Sequence, residues 1–381
     1  MRTLKELEAK GRRVLVRVDF NVPLTPEGKV RDALRIEESL PTLRRLKEQG
    51  ARTILMSHLG RPKKPDPALS LRPVAEKLGE LLGTNVAFVT SCVGEAARTA
   101  ATAVKDGEFL LLENLRFDPR EEANEEGFAQ ELARLGEVFV EDAFGTVHRA
   151  HASTVGVPKL LPSYAGFLVE REVRELTQLT EAPRHPYVAL IGGMKIDTKL
   201  PLLKNLMHGI DRLLIGGALG ANIVAQTSGN GGPMGDVVAD LLAMAKKAEV
   251  EVVLPSDFLL QEDSSGKVMT SGGPTVPPGF RAMDIGPATR ELFCHRLSDA
   301  ETVFVNGPLG KAEDSNFAEG SRQVFSEIGR RPRVSIVAGG DTAGIVRSMG
   351  LVSAFSYLST GGGAALEFIE GRTLPGLAVL P

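Results

Sequence analysis

Short apolar runs recur along the chain, each followed by a glycine-, proline- or polar-rich turn and then by a stretch with helical spacing. In the first half these runs cover residues 14–18, 53–57, 85–89, 109–112 and 138–140. In the second half they cover 187–191, 212–215, 251–254, 302–305, 334–338 and 355–358. Several are apolar at consecutive positions, the pattern of strands covered on both faces. Segments between them, such as 34–49 and 73–82, place apolar residues on one helical stripe. Strands alternating with helices predict an α/β fold with parallel sheets built from right-handed crossovers.

A joint separates the two series. Residues 167–180 carry Leu168, Val169, Val173, Leu176 and Leu179 at helical spacing, and Pro183 and Pro186 then forbid continuation. This predicts a connecting helix and hinge at 167–182, between an N-terminal domain (1–166) and a C-terminal domain (183–373). A chain of 381 residues is long enough for two cores of ~150–200 residues each.

Composition narrows the function classes. Hydrophobic residues at 43% against 24% charged exclude extended disorder. A net charge of −3 gives no general attraction to nucleic acid or an anionic membrane, so any anion site must come from local placement of cations. The two cysteines, Cys92 and Cys294, read as free thiols of a reducing compartment. The first residues lack the apolar core of a secretory signal, and no apolar run reaches the ~18–20 residues of a membrane span. The expected location is the cytoplasm.

Candidate chemistry collects where the apolar runs end. In the first half they lead into Asp19-Phe20-Asn21, His58-Leu59-Gly60-Arg61, Glu113-Asn114-Leu115-Arg116 and residues 141–151 with Arg149. Ligands of open parallel sheets bind beyond the carboxyl ends of the strands, so these segments are expected to converge. Arg61, Arg116, Arg149 and His58 would then share a cleft with Asp19 and Asn21, joined by Arg35 at the start of its helix. Guanidinium forks match phosphate and carboxylate oxygens, and Asp19 and Asn21 supply acceptors for hydroxyls. The implied ligand is small, polar and multiply anionic.

The second half ends its runs differently. Gly192-Gly193-Met194-Lys195 with Lys199, Gly216-Gly217, Asn306-Gly307-Pro308-Leu309-Gly310 with Glu313, Gly339-Gly340-Asp341-Thr342 and Ser359-Thr360-Gly361-Gly362-Gly363 all follow apolar runs. Glycines let a backbone approach a nucleotide and expose its N–H groups. Lys195 and Lys199, four apart, are expected on one helix face reaching phosphates. Asp341 suits the magnesium that accompanies a nucleotide, and 359–363 would present a helix start to a phosphoryl group. There is no phosphate-binding G-x-x-x-x-G-K-[ST] loop, no G-x-G-x-x-G fingerprint and no histidine–cysteine metal spacing.

Seven segments in order resemble the motifs of the phosphoglycerate kinase family: VRVDFNVP (16–23), SHLGRP (57–62), ENLRF (113–117), DAFGTVHRAHAS (142–153), NGPLG (306–310), GGDTA (339–343) and STGGGAALE (359–367). The resemblance spans essentially the whole chain. It implies two Rossmann-like domains, each a parallel sheet flanked by helices, joined by a hinge helix, with 374–381 folded back on the N-terminal domain. The N-terminal domain would bind 3-phosphoglycerate or 1,3-bisphosphoglycerate through Asp19, Asn21, Arg35, His58, Leu59, Gly60, Arg61, Arg116 and Arg149. The C-terminal domain would bind ADP or ATP with Mg2+, Asp341 being the metal ligand. Its nucleotide contacts would be Gly193, Lys199, Gly217, Gly286, Asn306, Gly310, Glu313, Gly339, Gly340, Asp341 and Thr342. The catalytic set would be Arg35, Lys195, Lys199, Gly361 and Gly362, with Arg35 and Lys195 stabilising the phosphoryl group in transit and Lys199 and the helix start at 361–363 holding nucleotide phosphates. The family is usually monomeric. Two rival readings are a nicotinamide-dependent dehydrogenase, against which the missing G-x-G-x-x-G speaks, and a non-catalytic nucleotide-binding relative, against which the retained Lys195, Lys199 and Asp341 speak.

Overall fold

The structure, a computed structural model, describes residues 1–194, 196, 199–227 and 235–381. The chain divides into two compact units, one of Met1–Val173 with Thr373–Pro381 and one of Arg174–Arg372.

In the first unit, strands and helices alternate as β1 (Arg13–Val18), α1 (Leu34–Glu48), β2 (Arg52–Met56), α2 (Arg72–Leu82), β3 (Val86–Val89), α3 (Gly94–Ala103), β4 (Phe109–Leu112), α4 (Glu126–Ala133), β5 (Val138–Asp142) and β6 (Ser163–Ala165). The six strands form one parallel sheet in the order β3-β4-β2-β1-β5-β6. The central strands β1, β2, β4 and β5 carry the four polar segments on their carboxyl ends, and parallel pairing puts those ends side by side. Val14, Val16, Val18, Leu55, Leu111 and Val140 line the face that packs on Ile36, Leu40 and Leu43 of α1 and on Val74 and Leu78 of α2. Each fully buried aliphatic side chain stabilises by ~1.5–3 kcal/mol. The C-terminal segment lies on this unit: the Gly376 N–H donates to Val147 O (2.8 Å) and the Arg2 N–H to Pro381 O (2.6 Å).

Helix α5 (Phe167–Thr180) carries the chain from the first unit to the second. There the order is β7 (Tyr187–Ile191), α6 (Leu200–Leu206), β8 (Arg212–Ile215), α7 (Gly217–Thr227), α8 (Gly235–Lys247), β9 (Glu251–Val253), β10 (Phe258–Glu262), β11 (Val268–Thr270), β12 (Phe280–Ile285), α9 (Pro287–Leu297), β13 (Thr302–Asn306), α10 (Glu319–Ile328), β14 (Val334–Val337), α11 (Gly340–Ser348), β15 (Tyr357–Leu358) and α12 (Gly363–Ile369). A second six-stranded parallel sheet runs β15-β14-β13-β7-β8-β9, and an antiparallel sheet runs β11-β10-β12. The antiparallel sheet and β6 were not foreseen. β6 is three residues long and β11 is exposed along its whole length, while the short apolar stretch of β10 at 258–260 runs straight into polar Gln261 and Glu262. No helix of the described residues is long and apolar enough to cross a membrane.

Candidate active site

In the first unit the strand-end loops hold a dense polar cluster. Arg17, inside the apolar β1, is 1% exposed. A buried guanidinium needs partners on every side, and Arg17 has them. It donates to Ser153 Oγ (2.9 Å), to the Val18 carbonyl and to His58 Nδ1 (3.2 Å). Since arginine only donates, His58 Nδ1 accepts and the ring hydrogen sits on Nε2. Burial, with the charges of Arg17, Arg116, Arg35 and His151 behind it, holds the His58 pKa well below its usual value. The imidazole is neutral, so its 4.0 Å approach to Asp19 Oδ1 is not an ion pair.

Asp19 accepts from Arg35 through Oδ2, while its buried Oδ1 makes no hydrogen bond. A buried acceptor left in that state is one expected to meet a ligand hydroxyl. Gly145 makes room for the pair: a Cβ there would lie 2.6 Å from Asp19 Oδ2 and 3.4 Å from Arg35 Nη1.

Asn21 Oδ1 accepts from the Gly60 N–H (2.9 Å), and the Gly60 carbonyl accepts from Arg116 (2.7 Å). Asn21 Oδ1 thus already accepts one backbone hydrogen bond, and its second lone pair is the one left for a ligand hydroxyl. Gly60 holds this place at φ 65°, the left-handed region that favours glycine. Leu59 is buried and fixed at both backbone polar atoms by the Asn114 side chain. Arg116 also pairs with Glu122 (3.0 Å). Arg149 is half-buried and donates to His148 Nε2 (3.2 Å), while Arg61 is exposed and makes no side-chain bond among the described residues. These residues thus come together at one end of one sheet.

Beneath them lies a buried acid layer. Glu121 accepts from Ser153 Oγ (2.6 Å) and N–H (3.0 Å), and Glu141 accepts from the Ala143 N–H (2.9 Å). Burial raises both carboxyls above their usual values, against the pull of Arg17. Of this layer, the sequence reading singled out none of Arg17, Glu121, Glu141 and Gly145. Its one trace in the sequence is the arginine between Val16 and Val18.

In the second unit the glycines let three loops meet backbone to backbone. A Cβ on Gly192 would lie 2.0 Å from Pro308 O, and one on Gly307 would lie 2.5 Å from the Gly192 carbonyl carbon. Gly193, Gly217 and Gly339 all hold positive φ. Asn306 accepts from Lys199 Nζ and donates to Ala338 O (2.7 Å), and Thr342 Oγ1 accepts from the Gly307 N–H (2.8 Å). Burial lowers the Lys199 pKa while Asp341 opposes it. Helix α6 begins at Leu200 with Lys199 as its N-cap residue. Lys195 lies outside the described residues.

Asp341 is exposed in the first turn of α11, beside Gly340. Among the described residues no three carboxylate, histidine or cysteine side chains converge on a metal. One carboxylate is what a hydrated Mg2+ shared with nucleotide phosphates takes from a protein, and Asp341 fits that part. Gly362 precedes α12 at φ 55°, while the Gly361 N–H donates to Ser359 Oγ (3.1 Å). Gly286 starts α9 with no space for a Cβ, Asp257 being 2.3 Å away, and Gly310 is packed equally tightly on Asp284. Glu313 is exposed on the loop after β13.

A cavity of about 500 Å3 opens between α7 and the antiparallel sheet, lined by Met194, Ala218, Ala221, Asn222, Val276 and Phe280 among others. Its apolar walls and few polar groups suit a flat heteroaromatic ring.

The family model for phosphoglycerate kinase matches residues 4–372. Phosphoglycerate kinase of Thermus thermophilus is 48% identical over 390 aligned residues, covering all of both chains, and that of Roseiflexus castenholzii is 45% identical, covering all of this chain and 98% of its own. The solved phosphoglycerate kinase of Coxiella burnetii superposes with a TM-score of 0.89 at 34% identity, over 99% of this chain and 98% of that one. That of Pyrococcus horikoshii gives 0.85 at 30%, over 100% and 98%. With two parallel sheets whose strand ends hold an arginine-rich cluster in one unit and interlocked glycine loops in the other, and with likeness over its full length, the chain belongs to the phosphoglycerate kinase family.

Proposed function

We propose that the chain catalyses reversible phosphoryl transfer from 1,3-bisphosphoglycerate to ADP, giving 3-phosphoglycerate and ATP, as a monomeric cytoplasmic enzyme of glycolysis and gluconeogenesis. A β-phosphate oxygen of ADP forms the new P–O bond while the acyl P–O bond breaks and the carboxylate leaves, with no covalent enzyme intermediate. The observation that carries the phosphoglycerate site is the buried, unpartnered Asp19 Oδ1 beside a neutral His58, ringed by Arg35, Arg116 and Arg149. Asp19 accepts a substrate hydroxyl, His58 donates from Nε2, and Arg61, Arg116 and Arg149 hold the phosphate and carboxylate.

On the nucleotide side, the cavity beside Met194 and Ala218 takes the base, Glu313 the ribose, and Lys199 with the loops at Gly193, Gly217, Gly339 and Gly340 the phosphates. Asp341 would hold the Mg2+ that accompanies the nucleotide, and the bound ion would supply charge neutralisation at the phosphates. Arg35 and Lys195 face the three equatorial oxygens over which transition-state charge spreads, so their main contribution is electrostatic. Because the two substrates bind different domains, 1–166 and 183–373, transfer requires hinge closure, which also keeps water from the acyl phosphate.

The test is ATP formation by the purified protein from ADP and 1,3-bisphosphoglycerate with Mg2+, with GDP as competitor for the base site. Turnover within the ordinary range of 1–100 per second is expected, about that of kinases generally. A protein that binds ADP but forms no ATP would instead be a non-catalytic relative.

A further inference from the structure

Helix α1 carries three polar side chains on one stripe. Arg35, Glu38 and Thr42 stand three and then four positions apart, the spacing of a single helix face. Each reaches a different part of the first unit. Arg35 donates to Asp19 at the end of β1, and Glu38 accepts from Arg171 in α5. Thr42 Oγ1 donates to Asp142 Oδ1 (2.9 Å) and accepts from the Phe167 N–H (2.9 Å). The same Asp142 oxygen accepts from the Leu168 N–H (3.0 Å). Phe167 and Leu168 open α5, so two of the N–H groups that a helix start leaves unpaired are tied to α1 and β5.

This joint is wholly interior. Thr42 and Asp142 are both 0% exposed, and Gly166, just ahead of α5, has no space for a Cβ because Asp142 Oδ1 would lie 2.1 Å away. Burial pushes the Asp142 carboxyl up to about 8, against the pull of its hydrogen bonds from Thr42 and the Leu168 N–H. A well-packed apolar contact would serve stability as well or better, so the polar joint calls for another reason. Its distinctive property is direction: hydrogen bonds fix the rotation and register of α5 against α1, which apolar packing alone leaves looser.

We propose that Thr42 and Asp142 are positioning residues for phosphoryl transfer, locking the first turn of the connecting helix to the helix whose first turn bears Arg35. The seven residues from Arg35 to Thr42 span roughly 10 Å of α1, in which Pro41 lacks the N–H that would bond back to the Glu37 carbonyl and the Thr42 joint supplies a tie one residue on. Arg35 and the start of α5 are thereby held as one piece, with Glu38 and Arg171 as a second tie. The proposal rests on the reading of Arg35 as a phosphoryl contact and of α5 as the hinge helix.

Thr42→Val removes both hydrogen bonds at nearly constant shape, and Thr42→Ser restores them. Calorimetry gives the Kd of 3-phosphoglycerate and of Mg-ADP separately, and steady-state assay gives kcat. For Thr42→Val the expected result is a fall in kcat of about tenfold or more, the cost of a small misplacement, with each single-ligand Kd unchanged. Thr42→Ser is expected to recover kcat. Unchanged kcat, an equal loss of 3-phosphoglycerate affinity, or failure of the serine variant to recover overturns the proposal. Should Thr42→Val not melt cooperatively, Glu38→Gln cuts the other tie and must show the same split in smaller measure; no split there also overturns it. Failure of the underlying reading shows elsewhere, as Arg35→Ala with undiminished kcat.

Discussion

Arg17 Nη2 lies 3.2 Å from His58 Nδ1, and both side chains are buried. A fixed cation that donates to Nδ1 leaves His58 neutral with a donor at Nε2, and burial and the nearby arginines act in the same direction. His58→Gln should raise KM for 3-phosphoglycerate about 10- to 100-fold, the worth of ~1–3 kcal/mol for a buried hydrogen bond to a charged ligand. The pH profile of kcat/KM between 6 and 8 should keep the same shape in both proteins. An inflection near 6.5 in the wild type that disappears in the variant would show that His58 titrates, against this assignment.

Arg35 tests the division of labour between the units. Its partner is Asp19, within the first unit. Arg35→Ala should lower kcat by about 10²–10³, the range for a group acting mainly in the transition state. ADP affinity, measured by calorimetry, should stay nearly intact. Equal loss of ADP binding would remove Arg35 from the phosphoglycerate side.

Gly145 is a steric test of the same pair. Its backbone needs no left-handed φ, so the added Cβ acts through space alone, meeting Asp19 Oδ2 at 2.6 Å. Gly145→Ala should destabilise by about 1–3 kcal/mol, as overpacking does. It should also raise KM for 3-phosphoglycerate while leaving KM for ADP unchanged, which a denaturant titration and steady-state kinetics check together.

These residues also show what was legible beforehand. β1, β2, β4, β7 and β13 were readable because strands buried on both faces write continuous apolar runs. The places of Asp19, His58, Arg116 and Asp341 beyond the strand ends were readable because each directly follows such a run in sequence or opens the next segment. Arg17 and Glu121 were not, because their role exists only in three dimensions: Ser153, which bonds both, is 136 residues from one and 32 from the other. Gly145 belonged to a motif, yet its reason is an oxygen 126 positions away in sequence. Lys199 stands at the N-cap of α6, where Pro201 suits the first turn, while the expectation for Lys195 falls outside the described residues.

Asp341 supplies one carboxylate, so metal dependence should be strong but graded. Chelation should abolish transfer, and added Mg2+ should restore it. Asp341→Asn should raise the Mg2+ concentration for half-maximal rate by about tenfold, the weight of ~1.4 kcal/mol. ADP affinity without metal should not change. If the variant and wild type share one Mg2+ dependence, Asp341 is not the ligand.

His151 gives the pH test of the buried cluster. Burial, then Arg17, Arg116, Arg149 and His148, brings its pKa down to about 4 from the ordinary 6.5. Between those values the unfolded chain binds a proton that the folded protein refuses. The His151 contribution to stability is therefore fully present above pH 6.5 and is lost as pH falls towards 4. His151→Gln removes that term while leaving the opposed titrations of Glu121, Glu141 and Asp142 in place. Unfolding free energy should fall more steeply between pH 7 and 5 in the wild type than in the variant, by about 1 kcal/mol once solvent screening is allowed for. Denaturant titrations at pH 7, 6 and 5 measure the two slopes. Parallel slopes would mean that His151 takes up its proton as readily in the fold as in the unfolded chain, and that the arginine cluster around it does not repel a second layer of positive charge.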